Sequence, residues 1–84
     1  MKHASPSAIA RLAPLLKKLK AITPLREKKP GVYYVKSKAF LHFHEDGDAI
    51  YADVRLHPPD FDRLPATTSA EQKALINKIR QAVE

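Results

Sequence analysis

The sequence has no cysteine and no tryptophan, and Gly31 and Gly47 are its only glycines among 84 residues. The absence of cysteine excludes a disulfide framework, a thiolate zinc site and a thiol nucleophile. Two isolated glycines cannot form either of the common glycine-rich phosphate-binding loops. No apolar stretch approaches the roughly 20 residues that span a bilayer. We therefore expect a protein without a membrane segment, thiol chemistry or a standard nucleotide-binding loop.

The length is that of a single small domain, residues 1–84, in which one sheet layer and one helix layer can share a thin core. The N-terminal segment is basic, amphipathic and free of acidic residues up to Arg26. Such a segment also fits an organelle transit peptide. We favour a helix that faces the core, because the remaining chain would otherwise be a very small domain, and we expect a cytoplasmic protein.

Charge is distributed unevenly along the chain. The overall formal charge is +6, but residues 1–40 hold ten Lys and Arg against Glu27 alone, whereas residues 41–84 hold five basic and eight acidic residues. The two halves therefore carry +9 and −3. This asymmetry indicates an acidic partner for the first half, or attraction within the fold or between copies of the chain.

Two segments have the periodicity of amphipathic helices. Apolar residues recur every three or four positions in the first: Ile9, Leu12, Leu16 and Leu19. Pro14 interrupts this pattern, so we expect a kink there or a second helix that starts near Ala13. Ser5 is the expected N-cap. The second helix is C-terminal, and its capping box begins at either Thr68 or Ser69.

Three short strands are predicted between the helices, over residues 32–36, 39–45 and 48–56. Asp46-Gly47 lies between two alternating runs and is the strongest hairpin signal in the chain. With these two residues as the loop, His42 pairs with Tyr51 on one face and Phe43 with Ile50 on the other. The fold class is therefore α+β in the order α-β-β-β-α, a three-stranded antiparallel meander with two helices packed on one face.

Other segments are predicted to be irregular. Residues 25–31 read as a basic connector. Residues 57–68 contain three prolines, which exclude helix and strand interiors, and Phe61 and Leu64 are expected to anchor this loop to the core. The register of the 32–36 strand stays open, because a two-residue turn places Tyr34 inward and a three-residue turn places Tyr33 inward.

The segment from residue 28 to residue 65 resembles a group of short, uncharacterised bacterial proteins. The resemblance is based on two segments, residues 38–46, KAFLHFHED, and residues 52–55, ADVR. No activity is assigned to that group, so the resemblance implies no catalytic residue. It marks the hairpin as the distinctive part of the chain.

The outer face of the 38–56 hairpin is the predicted working surface. It carries aromatic, histidine and charged side chains that the helices leave uncovered: Lys38, Phe40, His42, His44, Tyr51, Asp53 and Arg55. Aromatic patches on an open surface are typical of interfaces. The leading hypothesis is a non-catalytic binding module that forms a homodimer or binds a protein partner.

Two alternative functions use other features. Electrostatic binding of single-stranded nucleic acid would combine the aromatic outer face and a basic run. Tyr33 belongs to this face only if the 32–36 strand has the register that turns it outward. The residues of that run are Lys17, Lys18, Lys20, Arg26, Lys28 and Lys29. Metal-dependent activity would use His42, His44 and Asp46, which alternate along one strand.

The sequence does not decide whether the metal site has further ligands. Asp53 and His57 could contribute, although the expected register does not place Asp53 opposite His44. No cofactor is otherwise predicted. The serines and the paired carboxylates have turn or cap explanations, so the sequence does not favour an enzyme.

Overall fold

The computed structural model describes residues 2–83, which form an α+β fold with an antiparallel sheet and three helices. The strands are β1 (Lys2–His3), β2 (Arg26–Lys29), β3 (Val32–Val35), β4 (Lys38–Asp46), β5 (Ala49–His57) and β6 (Asp60–Pro65). The helices are α1 (Pro6–Arg11), α2 (Ala13–Lys20) and α3 (Ser69–Val83). The predicted fold class is confirmed, but the three-stranded meander is wrong, because the sheet has six strands.

The sheet places β4 and β5 at its centre. Its order is β2-β3-β4-β5-β6, with every neighbour antiparallel, and β1 pairs with the last part of β4. Helical residues pack with the inward residues of β4 and β5 in one core cluster, whose largest members are Leu12, Leu15, Leu19, Leu41, Phe43, Ile50, Leu75 and Ile79. No helix within residues 2–83 is long and apolar enough to cross a membrane.

Two edge strands form where irregular segments were expected. The basic connector contains β2, which pairs with β3. The proline-rich loop contains β6, which pairs with β5 along most of its length. Its prolines are compatible with a strand because Pro58 and Pro59 precede β6, and Pro65 ends it. An edge strand has a ladder partner on one side only, so a missing N–H at its end breaks no shared ladder.

The helix boundaries follow local chemistry. The Ser5 hydroxyl accepts a hydrogen bond from the Ala8 amide and caps α1, as predicted. The chain turns at Leu12, and α2 begins at Ala13 with Pro14 in its first turn, where the missing N–H breaks no helical bond. The alternative of a second helix near Ala13 is therefore confirmed.

The β4–β5 hairpin turns at Gly47-Asp48 instead of Asp46-Gly47. Asp46 pairs with Ala49, so each residue of β4 faces a β5 partner two positions further along than expected. Gly47 has φ +62°, a conformation that glycine adopts without a Cβ clash. A shift of two residues keeps every side chain on its predicted face and changes only its neighbour.

A bulge between β3 and β4 reverses the orientation expected for Phe40. Tyr33 pairs with Leu41 and Tyr34 pairs with Ala39, which leaves Phe40 as the extra residue. Phe40 is 7% exposed and joins the core, so its predicted place on the outer face is wrong. The bulge also resolves the open register, because the turn has two residues and Tyr33 nevertheless points inward, at 2% exposure.

The β3–β4 turn places Lys36 at φ 52° and Ser37 at φ 68°. Left-handed conformations disfavour residues with a Cβ. We predict that Ser37→Gly raises the free energy of unfolding by about 0.5–1 kcal/mol. Urea unfolding measures this change, and Ser7→Gly in α1 is the control that should destabilise. A Ser37→Gly variant less stable than the natural protein would contradict the turn geometry.

The capping box of α3 begins at Thr68. The Glu71 amide donates to the Thr68 hydroxyl, and the Thr68 amide donates to the Glu71 carboxylate. We predict that Thr68→Ala lowers the free energy of unfolding by about 1 kcal/mol. Ser69→Ala should change it by less than about 0.5 kcal/mol, because Ser69 is already helical. Denaturant unfolding of both variants measures the two changes. Equal losses of unfolding free energy in the two variants would contradict a capping box that begins at Thr68.

Candidate metal centre on the outer sheet face

Three polar residues lie side by side across the centre of the outer face. His42 on β4 pairs with Asp53 on β5, and Asp53 pairs in turn with Arg63 on β6. His44 lies two positions along β4 from His42, on the same face. The shift in hairpin register produces this arrangement, because the expected register placed Phe40 opposite Asp53.

Asp53 is the acceptor around which the other groups are arranged. It is 7% exposed and is the one buried charged residue within residues 2–83. Arg63 donates from Nε to Oδ1 at 2.9 Å and from Nη2 to Oδ2 at 3.2 Å. Burial by itself raises the pKa of Asp53, but the hydrogen bonds and charge of Arg63 outweigh that effect and lower it. Asp53 is therefore a carboxylate at neutral pH.

His44 approaches the same carboxylate without a well-aligned hydrogen bond. Its Nε2 lies 2.9 Å from Asp53 Oδ2. The atom is nevertheless buried with no hydrogen-bond partner within the described chain, so distance alone overstates this contact. An imidazole nitrogen is therefore held close to a carboxylate oxygen with its own bonding capacity unused.

His42 completes the cluster. Its ring centroid lies 4.7 Å from that of His44, and Phe61 covers its other side with centroids 5.5 Å apart. Burial and the neighbouring His44 imidazole lower the pKa of His42. His42 is consequently neutral at pH 7, with a lone pair on one ring nitrogen.

The potential ligand atoms of His42, His44 and Asp53 all lie within 4.8 Å of one another. Ligands of a tetrahedral zinc ion at about 2.0–2.1 Å are separated by about 3.3 Å. The most widely spaced ligand atoms must therefore approach one another by up to about 1.5 Å, whereas His44 Nε2 and Asp53 Oδ2, at 2.9 Å, are already closer than this separation. The two imidazoles must supply this movement by rotation about their side-chain bonds, because two hydrogen bonds from Arg63 hold the Asp53 carboxylate.

The structure brings together only part of the predicted surface. His42, His44 and Asp53 form the cluster, and Tyr51 pairs with His44 beside it. The other predicted members lie apart. Lys38 is exposed at the start of β4, and Arg55 lies towards the far end of β5, next to Phe61.

Two proposed ligands fall outside the cluster. Asp46 is exposed beside the hairpin turn, so its predicted role as the third ligand is replaced by Asp53. His57 lies near the β5–β6 turn, with its Nδ1 3.1 Å from the Asp62 carboxylate. Its side chain is 81% exposed.

The outer face lacks two of the aromatic side chains expected for stacking nucleic acid. Tyr33 and Phe40 are both buried. The basic residues proposed with them are exposed on α2 and β2: Lys17, Lys18, Lys20, Arg26, Lys28 and Lys29. One of them, Lys28, places its ammonium nitrogen 5.8 Å from the centroid of the Tyr34 ring.

Two residues of the site were missed because their segment was expected to be a loop. Arg63 orients Asp53, and Phe61 covers His42 and is 39% exposed instead of anchoring in the core. Leu64 does pack against the core, as expected. Residues 60–64 read DFDRL, in which polar and apolar residues do not alternate, so the sequence pattern provided no strand signal that would have revealed either side chain.

Comparisons with protein families, with curated proteins and with solved structures found no match to this chain. The resemblance of residues 28–65 to short bacterial proteins stays a prediction. Inferences about function therefore depend on the geometry of the molecule.

The lowered pKa of His42 predicts a loss of stability in mild acid. The unfolded chain takes up a proton at His42 near pH 6.5, whereas the folded state resists it, so the free energy of unfolding falls as the pH falls. We expect a decline between pH 7.5 and pH 5.5 that is smaller in His42→Gln. Urea unfolding at both pH values measures the difference. An equal decline in the two proteins would contradict the burial of a neutral imidazole.

Proposed function

We propose that this protein is a non-catalytic binding module whose outer sheet face binds a divalent transition metal ion of the zinc class. The proposed ligands are His42, His44 and Asp53. One observation carries the proposal, namely that ligand atoms from two adjacent strands lie within 4.8 Å of one another.

The donor set suits this class of ion. Zinc takes imidazole nitrogen and carboxylate oxygen, whereas calcium and magnesium prefer oxygen alone. Three protein ligands leave one position of a tetrahedral ion for water or for a group from another molecule. The lowered pKa of His42 helps, because a metal must otherwise displace a proton from the imidazole.

Arg63 has two opposite effects on the ion. Its hydrogen bonds hold the Asp53 carboxylate in one orientation, as outer groups commonly do for ligating carboxylates. Its positive charge repels a cation at short range. With three protein ligands and this repulsion, we expect a dissociation constant on the order of micromolar, about −8 kcal/mol, weaker than that of a structural zinc site.

The metal ion would be the ligand of the outer hairpin face, which the sequence analysis predicts to be a binding surface. A metal with an open coordination position could join the outer face to a donor from a partner protein. The hypothesis of an interaction module is retained in this form. The burial of Tyr33 and Phe40 weakens the case for nucleic acid, because neither ring is available for stacking.

Calorimetric titration with zinc chloride tests the proposal on protein prepared without a polyhistidine tag. We expect one ion per chain at pH 7.5. His42→Gln and His44→Gln should each weaken binding by at least about tenfold, the lower end of the effect seen even for outer-shell partners. His57→Gln is the matched control, because His57 is exposed and lies outside the cluster. It should retain the natural affinity within about twofold.

Cobalt(II) supplies a second readout, since its visible absorption reports tetrahedral coordination. We expect that absorption in the natural protein and in His57→Gln, and its loss in His44→Gln. Undiminished zinc binding in a His42→Gln/His44→Gln double variant would overturn the proposal, as would no binding by the natural protein at millimolar zinc.

A further inference from the structure

A second site lies at the end of the sheet where the β3–β4 turn, the last residues of β5 and the C-terminal end of α3 come together. It is a cavity of about 710 Å³, within the range of small-molecule sites. Its apolar lining includes Val35, Phe40, Leu56 and Val83. Phe40 lines the cavity because the β-bulge turns its ring away from the outer face.

The charged residues that line this cavity all have one sign. They are Arg26, Lys36, Lys38 and Arg55, and no acidic residue lines it within the described part of the chain. None of the four makes an ion pair with another residue among positions 2–83. Apolar walls with several cations and no counter-charge are electrostatically complementary to an organic anion.

Arg55 provides an independent observation. Its Nε is buried and has no hydrogen-bond partner within residues 2–83. Its guanidinium carbon lies 5.9 Å from the centroid of the Phe61 ring. The ring provides a cation–π contact but no hydrogen-bond acceptor for Nε. A buried donor without an acceptor is unfavourable. Because Nε is buried, an anionic oxygen in the cavity would reach it only after the Arg55 side chain rotates towards the cavity.

We propose that this cavity binds a small amphipathic anion, an apolar acyl or aryl body with one carboxylate or phosphate headgroup. The headgroup accepts hydrogen bonds from Arg55, and the neighbouring Lys38 adds attraction. The apolar body packs against Phe40, Leu56 and Val83. Guanidinium matches the planar geometry of a carboxylate and also binds phosphate, so the headgroup chemistry is common to both.

This site shares no proposed ligand with the metal centre, although Phe61 contacts both His42 and Arg55. Its lining residues do not include His42, His44 or Asp53. Failure of metal binding would therefore leave this proposal unaffected, and failure of this proposal would not alter the metal site.

Amide NMR titration with sodium decanoate at pH 7.5 tests the proposal. We expect saturable shifts at Lys38, Phe40, Arg55 and Val83. Acetate, which lacks the apolar body, and decanol, which lacks the charge, should each bind at least about tenfold more weakly. Decyl phosphate is compared with decanoate, and the tighter of the two identifies the preferred headgroup.

Variants separate binding at the cavity from general attraction to a basic protein. Arg55→Gln should weaken decanoate binding at least about tenfold, as expected for loss of a hydrogen bond to a charged group. Ala82→Glu adds a negative charge at an exposed lining position and should weaken it similarly without disturbing the core. Arg80→Gln, which removes an exposed arginine outside the lining, should change it less than about twofold.

Two results would overturn the proposal. One is equal binding of decanoate and decanol. The other is natural affinity for decanoate in both Arg55→Gln and Ala82→Glu, which would show that the cations and the cavity do not bind the anion.

Discussion

The pairing register of β4 with β5 is the constraint on which the rest of the structure depends. A turn at Gly47-Asp48 sets it, and the apolar residues of the two strands then meet the helices in one core. Because side chains alternate between faces, a register two residues away would keep the same residues buried. It would, however, move Asp53 away from His42. Burial therefore fixes the faces, whereas the turn fixes which polar groups touch.

The contacts of Asp53 act against the cost of burying its charge. A buried carboxylate must offset a large desolvation cost, and paired buried charges are often no more stabilising than apolar residues of similar volume. The hydrogen bonds and charge of Arg63 outweigh the effect of burial on the pKa of this carboxylate, while the nearby His44 Nε2 remains without an aligned hydrogen bond. Arg55 Nε, in a residue that lines the cavity, likewise has no hydrogen-bond partner within residues 2–83. Polar groups that the fold leaves unsatisfied are reasonable positions for ligands, and both proposals depend on such groups.

The sequence predicted those features that depend on local chemistry or on the spacing of apolar residues along the chain. The break between α1 and α2 followed from Pro14, the cap of α1 from Ser5, and the faces of β4 and β5 from alternation. Features that depend on pairing between distant segments were not predictable in the same way. The edge strand β6 was obscured by prolines that lie at its ends. The bulge at Phe40 breaks the period of two that placed this ring outside. Of the proposed metal ligands, the two histidines were identified. The third was assigned to Asp46 from alternation along β4, and Asp53 stayed an open candidate because the expected register did not place it opposite either histidine.

The central claim is that this register creates a metal centre at His42, His44 and Asp53. The most direct measurement is NMR of ¹⁵N-labelled protein loaded with ¹¹³Cd²⁺, in which scalar coupling identifies the nitrogen atoms bound to the ion. We predict a single bound cadmium species coupled to ring nitrogens of both His42 and His44. The ring centroid of His3 on β1 lies 6.2 Å from that of His44, so His3 is an alternative ligand. Coupling only to His3 or His57, or bound cadmium with no coupling to any imidazole, would contradict the claim.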